Sequence, residues 1–303
     1  MQEIRLERSQ YQCVISPYAA PVAHVRDGET AVFYTEDAFW GDLTSEDLDP
    51  KQLNTYSNPL VGPVYVEGAH PGDALKISIL DITPTRDIAV SCIHREFGAL
   101  QYNRRVKFLN DPLPLKVYLY HYKDGVYSHG NRLSFSPDPF IGTIATAPEI
   151  QAPSSNTPFE QGGNMDVPDV KPGNILYLPI QKEGAYLYLG DCHARQGQGE
   201  ACGAALEIAA RVTLKLEVVP GLTLRQPRIE SPTELMCIGS ARPMEDAARI
   251  ACYELVQWMI ELGWDAMDAY QAITMDSSLY VGNMVDPNYS LVAKVAKELA
   301  YRK

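Results

Sequence analysis

The sequence lacks the short motifs by which several large enzyme classes are identified. It contains no Gly-x-Ser-x-Gly elbow, no phosphate-binding P-loop and no His-Glu-x-x-His zinc motif. Serine-hydrolase, nucleotide-dependent and zincin chemistry therefore lose their usual support. No run of about 18 apolar residues occurs, and residues 1–11 are charged, so neither a membrane span nor a signal peptide is expected. We expect a cytoplasmic protein without a membrane partner.

Cysteine is scarce, and basic charge is in the minority. The six cysteines include no Cys-x-x-Cys pair, which in a chain of this length indicates reduced thiols and not a disulfide framework or a structural zinc site. The formal net charge is −12, whereas nucleic-acid binding needs clustered lysine and arginine. The acidic balance predicts no nucleic-acid partner and suits carboxylates gathered around a cation.

The residue patterns predict one β-rich domain over residues 1–303. Up to about residue 220, short strand-like runs alternate with Gly, Pro, Asp and Asn. The clearest run, residues 204–218, is apolar at every second position and long enough to contain a bend or bulge. We predict an α+β fold of antiparallel sheets, sandwich or barrel-like, with C-terminal helices packed against them. Other predicted strands are residues 30–34, 61–66, 74–82 and 185–189.

The spacing of apolar residues changes from every second position to helical spacing in residues 221–303, which we predict to form a helical cap. Apolar residues at helical spacing predict a helix over residues 244–262, and Gly263 suits its C-terminal end. A short helix is expected over residues 264–273 and a terminal helix over residues 289–301. Before this region, residues 148–173 are rich in Pro, Ser, Asn and Gly, and we expect a long ordered loop there.

The strongest candidate for chemistry is the segment Gly-Asp-Cys-His-Ala-Arg-Gln-Gly-Gln-Gly-Glu, residues 190–200. If it continues a strand, Asp191 and His193 point to one face and Cys192 to the other. The glycines that follow allow the backbone to bring Glu200 back toward this pair. A carboxylate beside an imidazole, with a second acid close by, suits a hydrolytic metal site or an acid–base pair.

Three further segments carry candidate residues. Gly162-Gly163-Asn164-Met165-Asp166 offers an amide and a carboxylate beside two glycines, although alone it is typical of a turn. Asp37 ends a predicted strand, and Glu67 lies between apolar residues and a glycine. Cys192 is a candidate nucleophile for amide hydrolysis, but strand geometry places it on the face opposite His193.

Together these segments resemble the acetamidase/formamidase family. The pattern G-D-x-H-x-x-x-G-x-G-E with a downstream G-x-x-x-E matches residues 190–207, and the G-G-N-M-D segment matches residues 162–166. Weaker matches follow in the expected order: N-P-x-x-G-P-x-x-V-E-G-A-x-P-G-D at residues 58–73, D-A at residues 37–38, D-A-Y at residues 268–270 and V-D-P at residues 285–287. Gln198 stands where the family often has Asp, and the segments before His24 and at residues 92–97 also depart from the family pattern. Together these departures favour the acetamidase-like branch or an uncharacterised relative.

The resemblance implies a β-rich α+β fold and hydrolysis of a small amide to a carboxylate and ammonia, with a divalent metal at the site and no organic cofactor. Zn²⁺ is the expected ion, with Mn²⁺, or Ca²⁺ at a second site, as alternatives. The metal ligands we expect are Asp37, Asp166, Asp191 and His193. The expected catalytic residues are Glu200 as general base, Glu67, whose role is interchangeable with that of Glu200, and Asn164. Residues expected to orient the ligands or contact the substrate are Glu207, Gly163 and Gly199.

Three alternatives stay open on the sequence alone. A non-catalytic β-domain that binds a cation or a sugar would also display acids, Asn and some of the 18 tyrosines. A metal-free thiol amidase would use Cys192. A family member that has lost activity would explain Gln198. A homo-oligomer is the assembly expected for an apolar, β-rich enzyme of this kind.

Overall fold

The computed structural model describes residues 1–53, 57–94, 97–100 and 113–302. Within these ranges the chain forms one sheet of nine strands and another of ten. The strands are β1 (Gln2–Ile4), β2 (Ala23–Val25), β3 (Thr30–Thr35), β4 (Leu60–Val66), β5 (Ala74–Pro84), β6 (Ile88–Ile93), β7 (Lys116–Lys123), β8 (Val126–His129), β9 (Leu133–Phe135), β10 (Phe140–Ala145), β11 (Gly162–Asn164), β12 (Ile175–Pro179), β13 (Leu187–His193), β14 (Glu207–Ile208), β15 (Ala210–Val219), β16 (Arg228–Glu230), β17 (Glu234–Ala241), β18 (Ser277–Asn283) and β19 (Tyr289–Ala296). The helices are α1 (Pro50–Leu53), α2 (Met244–Glu261), α3 (Ala266–Asp276) and α4 (Lys297–Ala300).

The two sheets are mixed and open. The nine-stranded sheet has the order β1-β3-β15-β5-β12-β16-β17-β19-β18. The ten-stranded sheet has the order β11-β10-β13-β14-β6-β7-β8-β9, with β4 also paired to β13 and β2 to β4. Among the described strands, only β1–β3 and β2–β4 pair in parallel. Neither strand order closes on itself, so the β-rich α+β class is confirmed and the barrel option is not realised.

The main hydrophobic core lies between the sheets. It contains Ile77 and Leu214 from the nine-stranded sheet together with Ile141, Leu187 and Leu189 from the ten-stranded sheet, all buried. Burial of such apolar surface is the dominant favourable contribution to folding. The packing of two sheets on one core makes this part of the molecule a β-sandwich.

The long alternating run at residues 204–218 forms two strands that belong to different sheets. β14 pairs with β13 in the ten-stranded sheet, and β15 pairs with β3 and β5 in the nine-stranded sheet. The chain crosses between the sheets at Ala209, the residue between the two strands. The predicted bend is therefore confirmed, and it brings the start of the run against the end of β13.

The predicted helix over residues 244–262 is α2, and the next predicted helix is α3. Gly263, with a φ of 99°, follows the C-terminal end of α2. α2 packs closely on β17 because Gly239 has no side chain: a Cβ atom there would lie 2.2 Å from the carbonyl oxygen of Ala247. None of the helices in the described part of the chain is long and apolar enough to cross a membrane.

The prediction of a terminal helix over residues 289–301 was wrong. Most of this segment is β19, which pairs with β17 and β18, and only the short α4 follows. Val292 faces the main core, whereas Ala293 and Val295 pack in a second core with α2. A strand buried on both faces loses the alternation of apolar and polar residues that identifies strands. The region predicted as a helical cap thus also supplies β16, β17, β18 and β19.

The segment predicted as a long loop, residues 148–173, contains one short strand. β11 pairs antiparallel with β10, with Asn164 opposite Thr143. The pairing fixes the Gly-Gly-Asn-Met-Asp segment against the ten-stranded sheet. It therefore brings this motif to the same sheet that carries β13.

Candidate active site

The candidate site is centred on the end of β13. Asp191 and His193 lie together, with Asp191 Oδ1 3.6 Å from His193 Nε2, and both side chains are buried. Cys192 lies in the main hydrophobic core, and burial raises the pKa of its thiol to about 12. The opposite orientations predicted from strand alternation are confirmed.

Gly142 on β10 provides space for two carboxylates. A Cβ atom at this position would lie 2.6 Å from Asp166 Oδ1 and 2.8 Å from Asp191 Oδ2. Any side chain at residue 142 would therefore displace at least one of these groups. The absence of a side chain on β10 allows both acids to lie against the sheet.

Asp166 reaches the site from the segment after β11. Its backbone has a φ of 48°, and its N–H donates to the carbonyl oxygen of Gly142 at 3.2 Å. Its Oδ2 accepts a hydrogen bond from Asn283 Nδ2 at 2.6 Å, and its Oδ1 lies 3.9 Å from His193 Nε2. Burial, followed by the charges of neighbouring carboxylates, raises the pKa of Asp166 well above its usual range.

Two glutamates reach His193 from the other side. Glu207 on β14 is the register partner of His193 on β13, and its Oε2 lies 3.2 Å from His193 Nε2. The backbone N–H of Ala205 donates to Glu207 Oε1 at 2.7 Å. Burial raises the pKa of Glu207 to about 7 and that of Glu200 well above its usual range. A raised pKa is what a general acid or base needs near neutral pH.

Three buried atoms at this centre have no hydrogen-bond partner among the described residues: Asp166 Oδ1, His193 Nε2 and Glu207 Oε2. Buried polar atoms are normally satisfied, so such a group of atoms needs an explanation. Asp166, Asp191 and His193 offer ligand atoms within 4.8 Å of one another, and so do His193, Glu200 and Glu207. An imidazole with several carboxylates is a donor set that suits Zn²⁺ or Mn²⁺. The residues present therefore fit a divalent cation.

A hydrogen-bonded group beside this centre includes residues to which the sequence analysis gave no role. Asn164 Nδ2 donates to Asp286 Oδ2 at 2.5 Å, Asn283 Nδ2 also donates to Asp286 Oδ2, and Thr143 Oγ1 donates to Asn164 Oδ1. Burial raises the pKa of Asp286 to about 7. The only sequence signal for Asp286 is the short V-D-P match, whereas Asn283 carries none.

The structure does not bring Asp37 and Glu67 to this centre. Asp37 is buried, but Phe39 N–H and Gly41 N–H donate to its Oδ1 at 2.9 and 3.0 Å, and Arg86 Nη2 donates to its Oδ2 at 2.5 Å. Both of its oxygens are therefore occupied, one by its own loop and the other by Arg86. Glu67 is exposed in the turn after β4 and does not line the cavity described below. The positions of these two side chains therefore give no support to Asp37 as a ligand or to Glu67 as a base.

The two candidate glycines adopt backbone conformations that other residues rarely adopt. Gly163 has a φ of 102°, and a Cβ atom there would lie 2.3 Å from the carbonyl oxygen of Thr157. Gly199 has a φ of 85°; its N–H donates to the carbonyl oxygen of Gly282 at 3.1 Å. These glycines hold the loops that carry Asp166 and Glu200. Gln198, where the family often has Asp, is exposed, so a carboxylate there would not reach the buried centre in this conformation.

A cavity of about 380 Å³ opens beside the centre. Asp191, Glu200 and Glu207 lie in its wall, together with Asn164 and Asp286. Its lining also includes the apolar and aromatic side chains of Phe39, Trp40, Leu53 and Phe97. The site therefore combines buried carboxylates with enclosed space large enough for a small organic molecule.

Comparison with known proteins agrees with this geometry. The sequence profile described as "Acetamidase/Formamidase family" matches residues 8–158 and 152–299. The crystal structure of an acetamidase from Yersinia enterocolitica is similar, with a TM-score of 0.92 and 38% identity over 97% of this chain and 91% of that chain. An acetamidase from Bacillus halodurans has a TM-score of 0.90 and 31% identity over 97% and 98% of the two chains.

A curated relative shows the same likeness over a shorter region. The acetamidase of Mycolicibacterium smegmatis is 26% identical in an alignment of 236 positions, and the match covers 59% of this chain and 56% of that protein. The chain thus spans little more than half the length of this relative. The profile match covers nearly all of the present sequence, and the chain therefore belongs to the acetamidase/formamidase family.

Proposed function

We propose that this protein is a metal-dependent amidohydrolase that cleaves the C–N bond of a small primary amide to give a carboxylate and ammonia. One observation carries the proposal: the unpartnered buried atoms of Asp166, His193 and Glu207 converge beside the cavity. Similarity to proteins named acetamidase supports the choice of substrate class.

Asp166, Asp191 and His193 would hold the cation, and Zn²⁺ suits this mixture of imidazole and carboxylates better than a soft metal. Mn²⁺ is the alternative ion. His193, Glu200 and Glu207 form a second group of ligand atoms, so the site is compatible with one ion or with two. When bound, such a cation lowers the pKa of water to about 7 and polarises a carbonyl group. These are two requirements for attack on a resonance-stabilised amide.

Glu200 is the general base of this proposal. It lines the cavity, so its carboxylate can reach a water molecule there. Glu207 has one oxygen committed to the N–H of Ala205. Glu200 would take a proton from water and return it to the leaving nitrogen.

Asp286 is the group we assign to the amide nitrogen of the substrate. Asn164 and Asn283 both donate to its Oδ2, which holds the carboxylate in the cavity wall. A primary amide carries two N–H donors, and a fixed carboxylate acceptor suits them. Asn164 thus acts through Asp286, to which its amide nitrogen donates, while its amide oxygen accepts from Thr143.

The structure favours neither the thiol amidase nor the non-catalytic binding domain. Cys192 is in the core and its thiol has a raised pKa, whereas a nucleophilic thiolate needs a lowered one. A binding domain for a cation alone would not need Glu200 and Asp286 in the cavity wall. The cytoplasmic location, the homo-oligomeric assembly and the absence of nucleic-acid and membrane partners stay predictions.

The test is metal analysis of the purified protein together with ammonia release from formamide, acetamide and propionamide. We expect Zn²⁺ or Mn²⁺ in the protein, loss of turnover after dialysis against a chelator, and recovery when the ion is returned. Ammonia release that survives complete removal of metal would contradict the metal-dependent mechanism. No release from any amide of the panel by the metal-loaded protein would contradict the proposed reaction.

A further inference from the structure

We propose that Gln196 is a positioning residue that fixes the ring tautomer of His193, so that the Nε2 lone pair faces the ligand cluster. The inference rests on the proposed metal-dependent function and adds to it a residue at an unspecified position of the G-D-x-H-x-x-x-G-x-G-E pattern. Gln196 lies three residues after His193, in the loop that leads to Glu200.

The orientation of the Gln196 amide follows from its partners. Its Nε2 donates to the carbonyl oxygen of Asp166 at 3.0 Å and to the carbonyl oxygen of Gly282 at 2.9 Å. A side-chain amide nitrogen carries two N–H donors, and both are used here. The opposite orientation would place the amide oxygen against two carbonyl oxygens. The Oε1 atom is therefore the one that faces His193.

This orientation determines which nitrogen of His193 carries a hydrogen. The distance between His193 Nδ1 and Gln196 Oε1 is 2.9 Å, and an amide oxygen only accepts hydrogen bonds, so Nδ1 is the donor. An imidazole that binds a metal has to be neutral, so it keeps one N–H, and the hydrogen on Nδ1 leaves Nε2 with a lone pair. That Nε2 is buried, unpartnered among the described residues and 3.6 Å from Asp191 Oδ1.

Gln196 also connects three segments of the chain: the end of β13, the segment after β11 and the end of β18. Its two N–H donors could therefore matter only for stability, with no effect on His193. A useful test has to separate the acceptor from the donors. Gln196→Glu keeps an acceptor for His193 Nδ1 and removes both donors, whereas Gln196→Leu removes all three hydrogen bonds.

The first measurement is Zn²⁺ affinity of the full-length protein, stripped of metal and titrated in competition with a chromophoric chelator. We expect Gln196→Leu to weaken binding by about 10–100-fold, the usual effect of losing a partner behind a histidine ligand. Gln196→Glu should keep most of the affinity, although both variants should melt at a lower temperature. Gln198→Leu is the matched control, because Gln198 is exposed, and it should bind as wild type does.

Two outcomes would overturn the inference while the proposed function stands. Equal loss of affinity in Gln196→Glu and Gln196→Leu would show that the donors, and hence stability, account for the effect. Unchanged affinity in Gln196→Leu would show that the hydrogen bond to His193 is dispensable. A wild-type protein that binds no Zn²⁺ or Mn²⁺ at all would instead remove the proposed metal site and this inference with it.

The second measurement is made on the wild-type protein, and a variant is needed only to assign its signals. Long-range ¹H–¹⁵N correlation spectra of the Zn²⁺-loaded wild-type protein, labelled at its six histidines, report which ring nitrogen carries hydrogen. The His193 signals are those missing from His193→Gln. We expect hydrogen on Nδ1, and a signal from a hydrogen on Nε2 of His193 would overturn the inference.

Discussion

His193 on β13 and Glu207 on β14 are register partners, and His193 Nε2 lies 3.2 Å from Glu207 Oε2. The pairing exists because the chain leaves the ten-stranded sheet at Ala209 and continues in the other sheet as β15. The two-residue strand β14 thus places Glu207 in the wall of the candidate site, and β14 is fixed in position by the long strand β15 that follows it. The most strongly patterned segment of the sequence therefore positions a side chain of the site.

We predict that Glu200→Gln lowers ammonia release on the order of 10²–10⁴-fold, the usual contribution of general acid–base catalysis. The amide of glutamine cannot take a proton from water but fills the same volume. Metal content measured by elemental analysis should stay at the wild-type level, because Asp166, Asp191 and His193 are intact. Turnover within threefold of wild type, about 0.7 kcal/mol in barrier, would exclude Glu200 as the base.

Glu67→Gln is the control for this experiment. It makes the same chemical change at an exposed residue in the turn after β4. We expect wild-type turnover and wild-type metal content from it. A large loss of turnover in Glu67→Gln would instead support the catalytic role that the sequence motif suggested for this residue.

Local patterns predicted the parts of the fold that depend on local rules. The alternation of side chains along a strand predicted the orientations of Asp191, Cys192 and His193. Apolar residues at helical spacing, followed by Gly263, predicted α2. These features follow from the geometry of one element and its boundary residues. The same rules placed β19 wrongly, because Val292 and Val295 are buried on opposite faces of that strand.

The parts that could not be predicted depend on contacts between distant residues. Asp37 looks like a free acid in the sequence, but Arg86, 49 residues away, binds its carboxylate. Asn283 looks like a strand residue, yet it donates to Asp166, 117 residues away. One sequence without an alignment carries no signal for such pairs. The candidate ligands were thus found by motif, and their partners only by structure.

We predict that Gly142→Ala disrupts the ligand cluster although no ligand residue is replaced. The new Cβ would lie 2.6 Å from Asp166 Oδ1 and 2.8 Å from Asp191 Oδ2, so at least one of these carboxylates must move. Overpacking of this kind costs about 1–3 kcal/mol in the free energy of unfolding. Metal content should fall below that of wild type in elemental analysis. Gly197→Ala is the control, since a Cβ there meets nothing within 4 Å; equal metal content in the two variants would contradict the prediction.

We predict that Cys192→Ala keeps amide turnover. The Cys192 thiol lies in the core on the face opposite His193 and receives a weak hydrogen bond from Thr35 Oγ1 at 3.6 Å. Loss of its sulfur should lower the melting temperature slightly, because a small cavity remains. Ammonia release per folded molecule, with folding checked by circular dichroism, distinguishes the two mechanisms: abolished turnover in a folded variant would support a thiol nucleophile.

The pH dependence of stability gives the last prediction, for the protein stripped of metal. Burial raises the pKa of Glu207 from 4.5 to about 7, so the folded state binds this proton more tightly than the unfolded state does. The free energy of unfolding should therefore fall as the pH rises from 4.5 to 7, on the order of 3 kcal/mol for this group. The pKa of His193 is also raised, and its contribution, complete below about pH 6.5, is lost as the pH rises further. Both groups act in the same direction.

Urea unfolding between pH 5 and pH 8 measures how the free energy of unfolding changes with pH. Glu207→Gln should be as stable as wild type at pH 5, where Glu207 is protonated in the folded protein. At pH 8 it should be more stable than wild type. Glu67→Gln, the control, should show the wild-type dependence of stability on pH. Added Zn²⁺ should reverse the trend, because the ligands bind metal only when deprotonated and affinity rises with pH. A stripped wild-type protein whose stability does not fall between pH 5 and pH 8 would show that the carboxylates around His193 are not held as closely as the structure describes.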